Sequence, residues 1–189
     1  MKQDRKANIL STAQHLFLSE GLSVTTVRIA KDADVPHGML LDYFATKQDL
    51  QDGLYVTLRN EAAEAMYDAG AMEKDSLQAI LSTVWASYVH WAMANMQKHK
   101  MLMLLATSNA VTAPARAKVE ETLKPLNRIV QSEMKKGDVT EMGLDYLYLI
   151  MDALAHICIV EAIDKRLKGK TLDGHIALGF SIFWKGIAA

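Results

Sequence analysis

Residues 21–50 read GLSVTTVRIAKDADVPHGMLLDYFATKQDL, and this stretch decides the fold. Gly21 follows an apolar stripe of Ile9, Leu10, Ala13, Leu16 and Phe17, whose spacings of three and four define one face of a helix. Glycine enters the left-handed conformation that closes a helix without steric cost. Thr25 then offers a hydroxyl to the free N–H groups of a second, short helix, whose inner face is Val27, Ile29, Ala30 and Ala33 and which stops near Asp34. After a tight turn, Pro36 to Tyr43 predict another short helix, with Leu40, Tyr43 and Phe44 packing back onto the first two. Three helices in this order form a helix-turn-helix unit.

Working outward, residues 47–69 predict a longer connecting helix through Leu50, Leu54, Val56, Leu58, Ala62, Ala65 and Met66, closed by Gly70. Gly53 inside it costs roughly 1 kcal/mol of helix propensity, which implies a bend or a close packing contact there. Residues 75–97 carry an aromatic stripe of Trp85, Tyr88 and Trp91, and a short apolar helix follows at about 100–107. A helix near 113–136 contains Pro125, which removes one backbone donor and predicts a kink. Two last helices, about 142–167 and 173–187, flank a turn at 168–172, with Asp173 as the expected cap. No segment holds a strand period for long, so the expected class is all-α, with about nine helices.

Half of the 189 residues are hydrophobic, yet no run of about 18 uninterrupted apolar residues occurs, which disfavours both a membrane span and disorder. The charged start, Met1 to Asp4, lacks the apolar stretch of a signal peptide, so the expected location is cytoplasmic, with no membrane partner. The single cysteine, Cys158, forms no internal disulfide. The chain has no Gly-rich phosphate loop, no nucleophile elbow and no metal-ligand motif, so neither an enzyme nor a cofactor is expected. His90, Asp152, His156 and Cys158 have no diagnostic ligand spacing, and no metal is expected. The net charge is −1, and within residues 1–50 Lys2, Arg5, Lys6, Arg28, Lys31 and Lys47 balance Asp4, Glu20, Asp32, Asp34, Asp42 and Asp49. Any nucleic-acid contact is therefore local.

The run Thr25-Thr26-Val27-Arg28-Ile29-Ala30, then Val35, Gly38, Tyr43-Phe44, Lys47 and Leu50, preceded by Phe17 and Gly21, resembles the N-terminal signature of the TetR/AcrR family of transcriptional regulators. The resemblance implies a DNA-binding domain at 1–46 and an effector-binding and dimerisation domain at 47–189, with the 47–69 helix as connector. It implies a ligand-responsive regulator, a homodimer on double-stranded operator DNA, acting as a repressor that a small, largely apolar effector releases. The DNA contacts it implies are Thr26, Arg28, His37, Gly38, Met39, Asp42, Tyr43 and Lys47. Thr26 and Lys47, each at the start of a helix, suit phosphate, and the first positions of the recognition helix, His37, Gly38 and Met39, suit base edges. Pro36 stands where a capping Ser or Thr is usual, Leu41 where an aromatic is frequent, and Asp42 repels phosphate while accepting from a cytosine amino group. An alternative follows: a TetR-like protein with weak or no DNA binding of its own, acting through a protein partner.

Beyond residue 50 the resemblance weakens and physical reading carries more weight. Trp85, Tyr88, Met103, Thr107, Leu126, Tyr148, Asp152 and His156 are the candidates for an effector pocket, since aromatics give rigid walls and methionine fits irregular shapes. Such stripes are also ordinary core. Asp152 and His156, four apart, either line the pocket, pair with each other or face solvent. In the family the last two helices form a four-helix bundle with their twofold mates, which makes Ile159, Ala162, Gly179, Phe180, Phe183 and Gly186 the candidate dimer contacts.

Overall fold

The computed structural model describes residues 2–189, with side chains from Asp4 onward; the reading of the extreme N-terminus from Met1 lies outside the described residues. Nine α-helices account for nearly all regular structure among them: α1 (Lys2–Glu20), α2 (Thr26–Asp32), α3 (His37–Tyr43), α4 (Lys47–Asp68), α5 (Leu77–Ala94), α6 (Met96–Thr107), α7 (Ala113–Met134), α8 (Leu144–Asp164) and α9 (Gly169–Ile187). A single 3-10 turn, Ala71–Glu73, lies between α4 and α5. The all-α expectation holds.

Packing divides the chain into two compact units, one of residues 1–60 and 96–121 and one of residues 61–95 and 122–189. In the first, α1 packs on α2 and α6, and α2 packs on α3. Its core is built from the residues the sequence pattern selects: Ile9, Ala13, Leu16 and Phe17 of α1, Ile29 and Ala30 of α2, Leu40, Phe44, Leu50 and Leu54. Val27 is the exception. It is 59% exposed, because a seven-residue helix has room for one buried face and Ile29, Ala30 and Ala33 occupy it.

Local chemistry explains the boundaries. Gly21, with φ +85°, donates its N–H to the Phe17 carbonyl, and the Thr25 hydroxyl accepts from the Arg28 N–H. The turn of the helix-turn-helix is a Schellman motif: Asp34, with φ +53°, donates to Lys31 O, and Val35 donates to Ala30 O. Asn8 of α1 adds a side-chain bond to the Ala33 carbonyl, 2.8 Å. At the start of α4, Thr46 and Asp49 form a reciprocal cap, N–H of each to the side chain of the other.

Gly53 has a packing reason. A Cβ built there would lie 2.7 Å from Cε1 of Phe44, the residue that ends α3, and Phe44 is itself buried. The Gly53→Ala variant gains helix propensity but displaces an aromatic ring in a filled core. The expected outcome is a net loss of roughly 1–2 kcal/mol, read as a lower urea midpoint with unchanged slope.

In the second unit, α5 packs on α8 and α9, and α8 packs on α9. Trp85 anchors this trio, 1% exposed, with its Nε1–H donated to the Ile176 carbonyl at 3.0 Å and its ring stacked on Phe183 at 5.9 Å. Gly179 of α9 lies under it, where a Cβ would meet Trp85 Cζ2 at 2.9 Å and Cys158 Sγ at 3.3 Å. The last helix begins at Gly169, four residues before the sequence reading placed it, and Asp173 is inside it rather than at its cap. A second Schellman motif, with Arg166 at φ +52°, ends α8 and leaves too short a connection for the longer turn expected at 168–172. By length and composition α8 could cross a membrane, with mean hydropathy 1.7, but Asp152 and Glu161 interrupt it and its inner side packs on α5 and α9.

The α7 helix continues through Pro125. One step beside the missing proline donor, the Tyr67 hydroxyl enters the backbone ladder: it donates to Thr122 O at 2.6 Å and accepts from the Leu126 N–H. A loosened turn of helix is where such an insertion is tolerated.

Candidate functional site

The reading head is formed by α2 and α3 with the ends of α1 and α4. On α3, Leu40 points into the core while Gly38, Leu41 and Asp42 are exposed and His37, Met39 and Tyr43 are half-buried. Nothing lies within 4 Å of a Cβ built on Gly38, so no contact inside the protein demands glycine there. Pro36 precedes the helix without a side-chain cap, as its chemistry requires, and its carbonyl accepts from the Met39 and Leu40 N–H groups.

Two contacts change the expected roles. Thr26 Oγ1 lies 3.0 Å from His37 Nε2, joining the first residue of α2 to the first residue of α3. Arg28, expected on DNA, is held by two carboxylates: its Nε donates to Asp32 Oδ2 at 3.0 Å and its Nη2 lies 3.4 Å from Glu20 Oε1. Asp32, then Glu20, raise the pKa of the guanidinium above its ordinary value. The two carboxylates engage it at the surface, where its side chain is half-exposed.

Arg5 of α1, not among the expected DNA contacts, reaches the recognition helix, with Nη1 3.8 Å from Met39 Sδ; Arg5 is exposed and Met39 half-buried. Lys6 covers the Phe44 ring, Nζ 5.7 Å from its centroid. Lys47 is half-buried at the first turn of α4. One turn on, Asp52 accepts from Gln48 Nε2, from the Thr112 N–H at 3.0 Å and from the Thr112 hydroxyl at 2.5 Å, while Gln48 also donates to Ala110 O. This clasp fixes the start of α7 to α4 within the first unit. Thr112-Ala113-Pro114 carries the signal of a helix start, but no local pattern names Asp52 as its partner.

The eight effector candidates are divided between the two units. Met103 and Thr107 belong to the first unit and the other six to the second. Thr107 is exposed, and its hydroxyl donates back to Met103 O at 2.8 Å. Trp85 and Tyr88 are buried core, Tyr88 stacked on Trp91 at 6.0 Å. His156 is exposed, beside a depression of about 410 Å³ lined also by Ile157, Val160, Glu161 and Asp164, so the solvent-facing alternative applies to it. Leu126, Tyr148 and Asp152 remain together. The Tyr148 hydroxyl donates to Asn127 Oδ1 at 2.9 Å, and burial, then the nearby Tyr67 phenol and Asp152, push the Tyr148 phenol far above its ordinary pKa. Among the described residues no cluster of three or more His, Cys, Asp or Glu is placed to hold a metal. Cys158 is a buried thiol, pushed up to about 11 by desolvation and then by Glu161, and stays protonated at neutral pH.

The dimer candidates need correction. Ile159, Ala162, Phe180 and Phe183 are buried within the protomer, and Gly179 is filled against Trp85; only Gly186 is exposed. Both helices are apolar on more than one side, so the stripe selected from the sequence was the inner one. The outer side exposes Leu149 (65%), Ile157 and Val160 on α8 and Leu178 and Ile182 on α9.

The chain combines a helix-turn-helix head with further helices and no strands among the described residues. Residues 9–53 match the family described as bacterial regulatory proteins, tetR family. The HTH-type transcriptional regulator HbdR of Aromatoleum sp. (strain CIB) is 22% identical over 134 residues, which span 70% of this chain and 57%, less than two thirds, of that protein. Over 98% of both chains the fold matches a structure described as a tetR family transcription regulator from Shewanella sp. PV-4, with TM-score 0.85 and 24% identity. The transcriptional regulator FadR from Bacillus subtilis, in complex with stearoyl-CoA, matches with TM-score 0.72 and 18% identity over 96% of this chain and 98% of that one.

Proposed function

We infer that this regulator is a ligand-responsive homodimer that binds operator DNA and represses until a small, largely apolar effector releases it. The observation that carries the reading is the outward side of α3, with Gly38 and Asp42 exposed and His37 and Met39 half-buried, on a head that matches the tetR family model over residues 9–53. Tyr43 and Lys47 are its proposed further contacts, Thr26 joins them through its bond to His37, and Arg28 contributes less because Glu20 and Asp32 engage it. Residues 1–46 serve DNA binding and 47–189 effector binding and dimerisation. A cytoplasmic location follows from the role.

The effector class is supported by the stearoyl-CoA in the FadR structure of similar fold and by the mainly apolar α8, whose Tyr148 bonds Asn127 of α7 and lies near Asp152. Leu126, Tyr148 and Asp152 are its proposed contacts. Dimerisation is supported by the outer α8–α9 surface, since exposed apolar side chains this large and this close together mark an interaction surface. Two heads must enter successive major grooves roughly 34–36 Å apart, which one protomer cannot do. Effector-driven movement of α7 reaches α4 through the Tyr67 insertion and the Asp52–Thr112 clasp, and α4 begins at the head.

Electrophoretic shift with duplexes from DNA flanking the protein's own gene tests the reading. The expected result is specific binding by a dimer, lost in Lys47→Ala, with a slope of log K against log salt no steeper than about −6. The bound effector and DNA weaken each other by one factor. No binding to any duplex at low salt supports the alternative of a regulator acting through a protein partner, which the held Arg28 favours.

A further inference from the structure

The hydroxyl of Thr26 has two possible uses in a DNA-binding head. As a phosphate contact it would position the protein without reading sequence. In the structure it is bonded to His37 Nε2, and among the described residues neither side chain has another side-chain hydrogen-bond partner. The cap of α2 is already supplied by Thr25, so Thr26 is not needed for the helix start.

His37 needs such a support. It is the first residue of α3, behind Pro36, which gives no side-chain bond, and before Gly38, which has no side chain to lean on. The imidazole there is half-buried, and its hydrogen bond is the one to Thr26. With Nε2 engaged, the ring offers one remaining nitrogen, Nδ1, to a partner outside the protein. In the major groove one ring nitrogen matches a purine N7 or an exocyclic amino group.

We propose that Thr26 is a positioning residue that orients His37, and that the Thr26–His37 pair determines base preference at one position of each half-site rather than contacting phosphate. The proposal rests on the DNA-binding reading above. A held ring gives up less freedom on binding than a loose one, so the pair contributes to discrimination and not to general affinity.

Selection from a random-sequence duplex library by the full-length protein tests it, using wild type, Thr26→Val, Thr26→Ser and His37→Ala. Each selected position is then measured by fluorescence anisotropy on the wild-type motif and its single-base variants. His37→Ala is expected to lose preference at one position per half-site by roughly three- to tenfold, the range of one net hydrogen bond. Thr26→Val loses preference at that same position, Thr26→Ser retains it, and Thr26→Val adds no further loss in the His37→Ala background. Uniform weakening of Thr26→Val on every sequence, or an unchanged motif in His37→Ala, overturns the proposal and leaves the DNA-binding reading standing. A wild-type protein that enriches no motif and binds no duplex at low salt overturns both.

Discussion

Ile182→Asp is expected to turn the dimer into a monomer at micromolar concentration and to abolish tight operator binding, while leaving the helical circular dichroism of the protomer intact. Ile182 is 58% exposed on α9, so its replacement costs the protomer far less packing than that of a buried residue such as Phe183. Across a twofold axis the change occurs twice. Each copy loses about 1.5–3 kcal/mol of apolar burial and places a carboxylate where desolvation costs roughly as much again. The sum weakens association by roughly a thousandfold or more. Light scattering after size exclusion reads the mass directly, and a dimer that survives Ile182→Asp, alone and combined with Leu178→Asp, removes this face from consideration.

Trp85→Ala carries the largest expected cost in stability. The side chain fills the space where α5 meets α8 and α9, stacks on Phe183, meets Phe180 edge-on at 6.2 Å and donates to Ile176 O. Truncation of such a residue costs about 3–5 kcal/mol, a large share of the roughly 5–15 kcal/mol that holds a domain folded. For a chain of this size the melting temperature should fall by about 10 °C or more. Trp85→Phe should fall between the two, keeping most of the burial but losing the bond to Ile176. If Trp85 were instead a pocket wall, its loss would change effector affinity with little effect on melting, and thermal denaturation without ligand separates the two roles.

The contrast between these residues measures what the sequence made legible. Gly21, Thr25 and Gly70 could be read because each reports on its own turn of chain, whereas Gly53 signalled a bend or close contact without naming the Phe44 ring that causes it. The glycine or hydroxyl chemistry of the first three has local causes, and the periodic apolar residues around them fix the faces. The inner stripe of α9 was legible as apolar, but Phe180 and Phe183 could not be told from Leu178 and Ile182 by type, since both faces are hydrophobic and only packing decides which one is used up. The site suffered more. Thr26 with His37, Arg28 with Glu20, Asp52 with Thr112 and Tyr67 with Thr122 join residues 8 to 60 positions apart. No single-sequence period records such a pairing. Asp173 failed as a cap for a related reason: its position in the helix depends on where the preceding Schellman turn at Arg166 releases the chain.

On the proposed reading as an operator-binding regulator, the arginine engaged by Glu20 and Asp32 bears on how quickly the protein finds its operator. A genome presents on the order of a million or more non-cognate sites, and every free cation on a DNA-binding surface lengthens the stay at each of them. Keeping Arg28 occupied limits that residence, so the protein loses less of its search to the wrong sequences. Neutralising Asp32 or Glu20 would release the charge and bind all DNA more firmly, yet the regulator would occupy its own operator for a smaller fraction of the time.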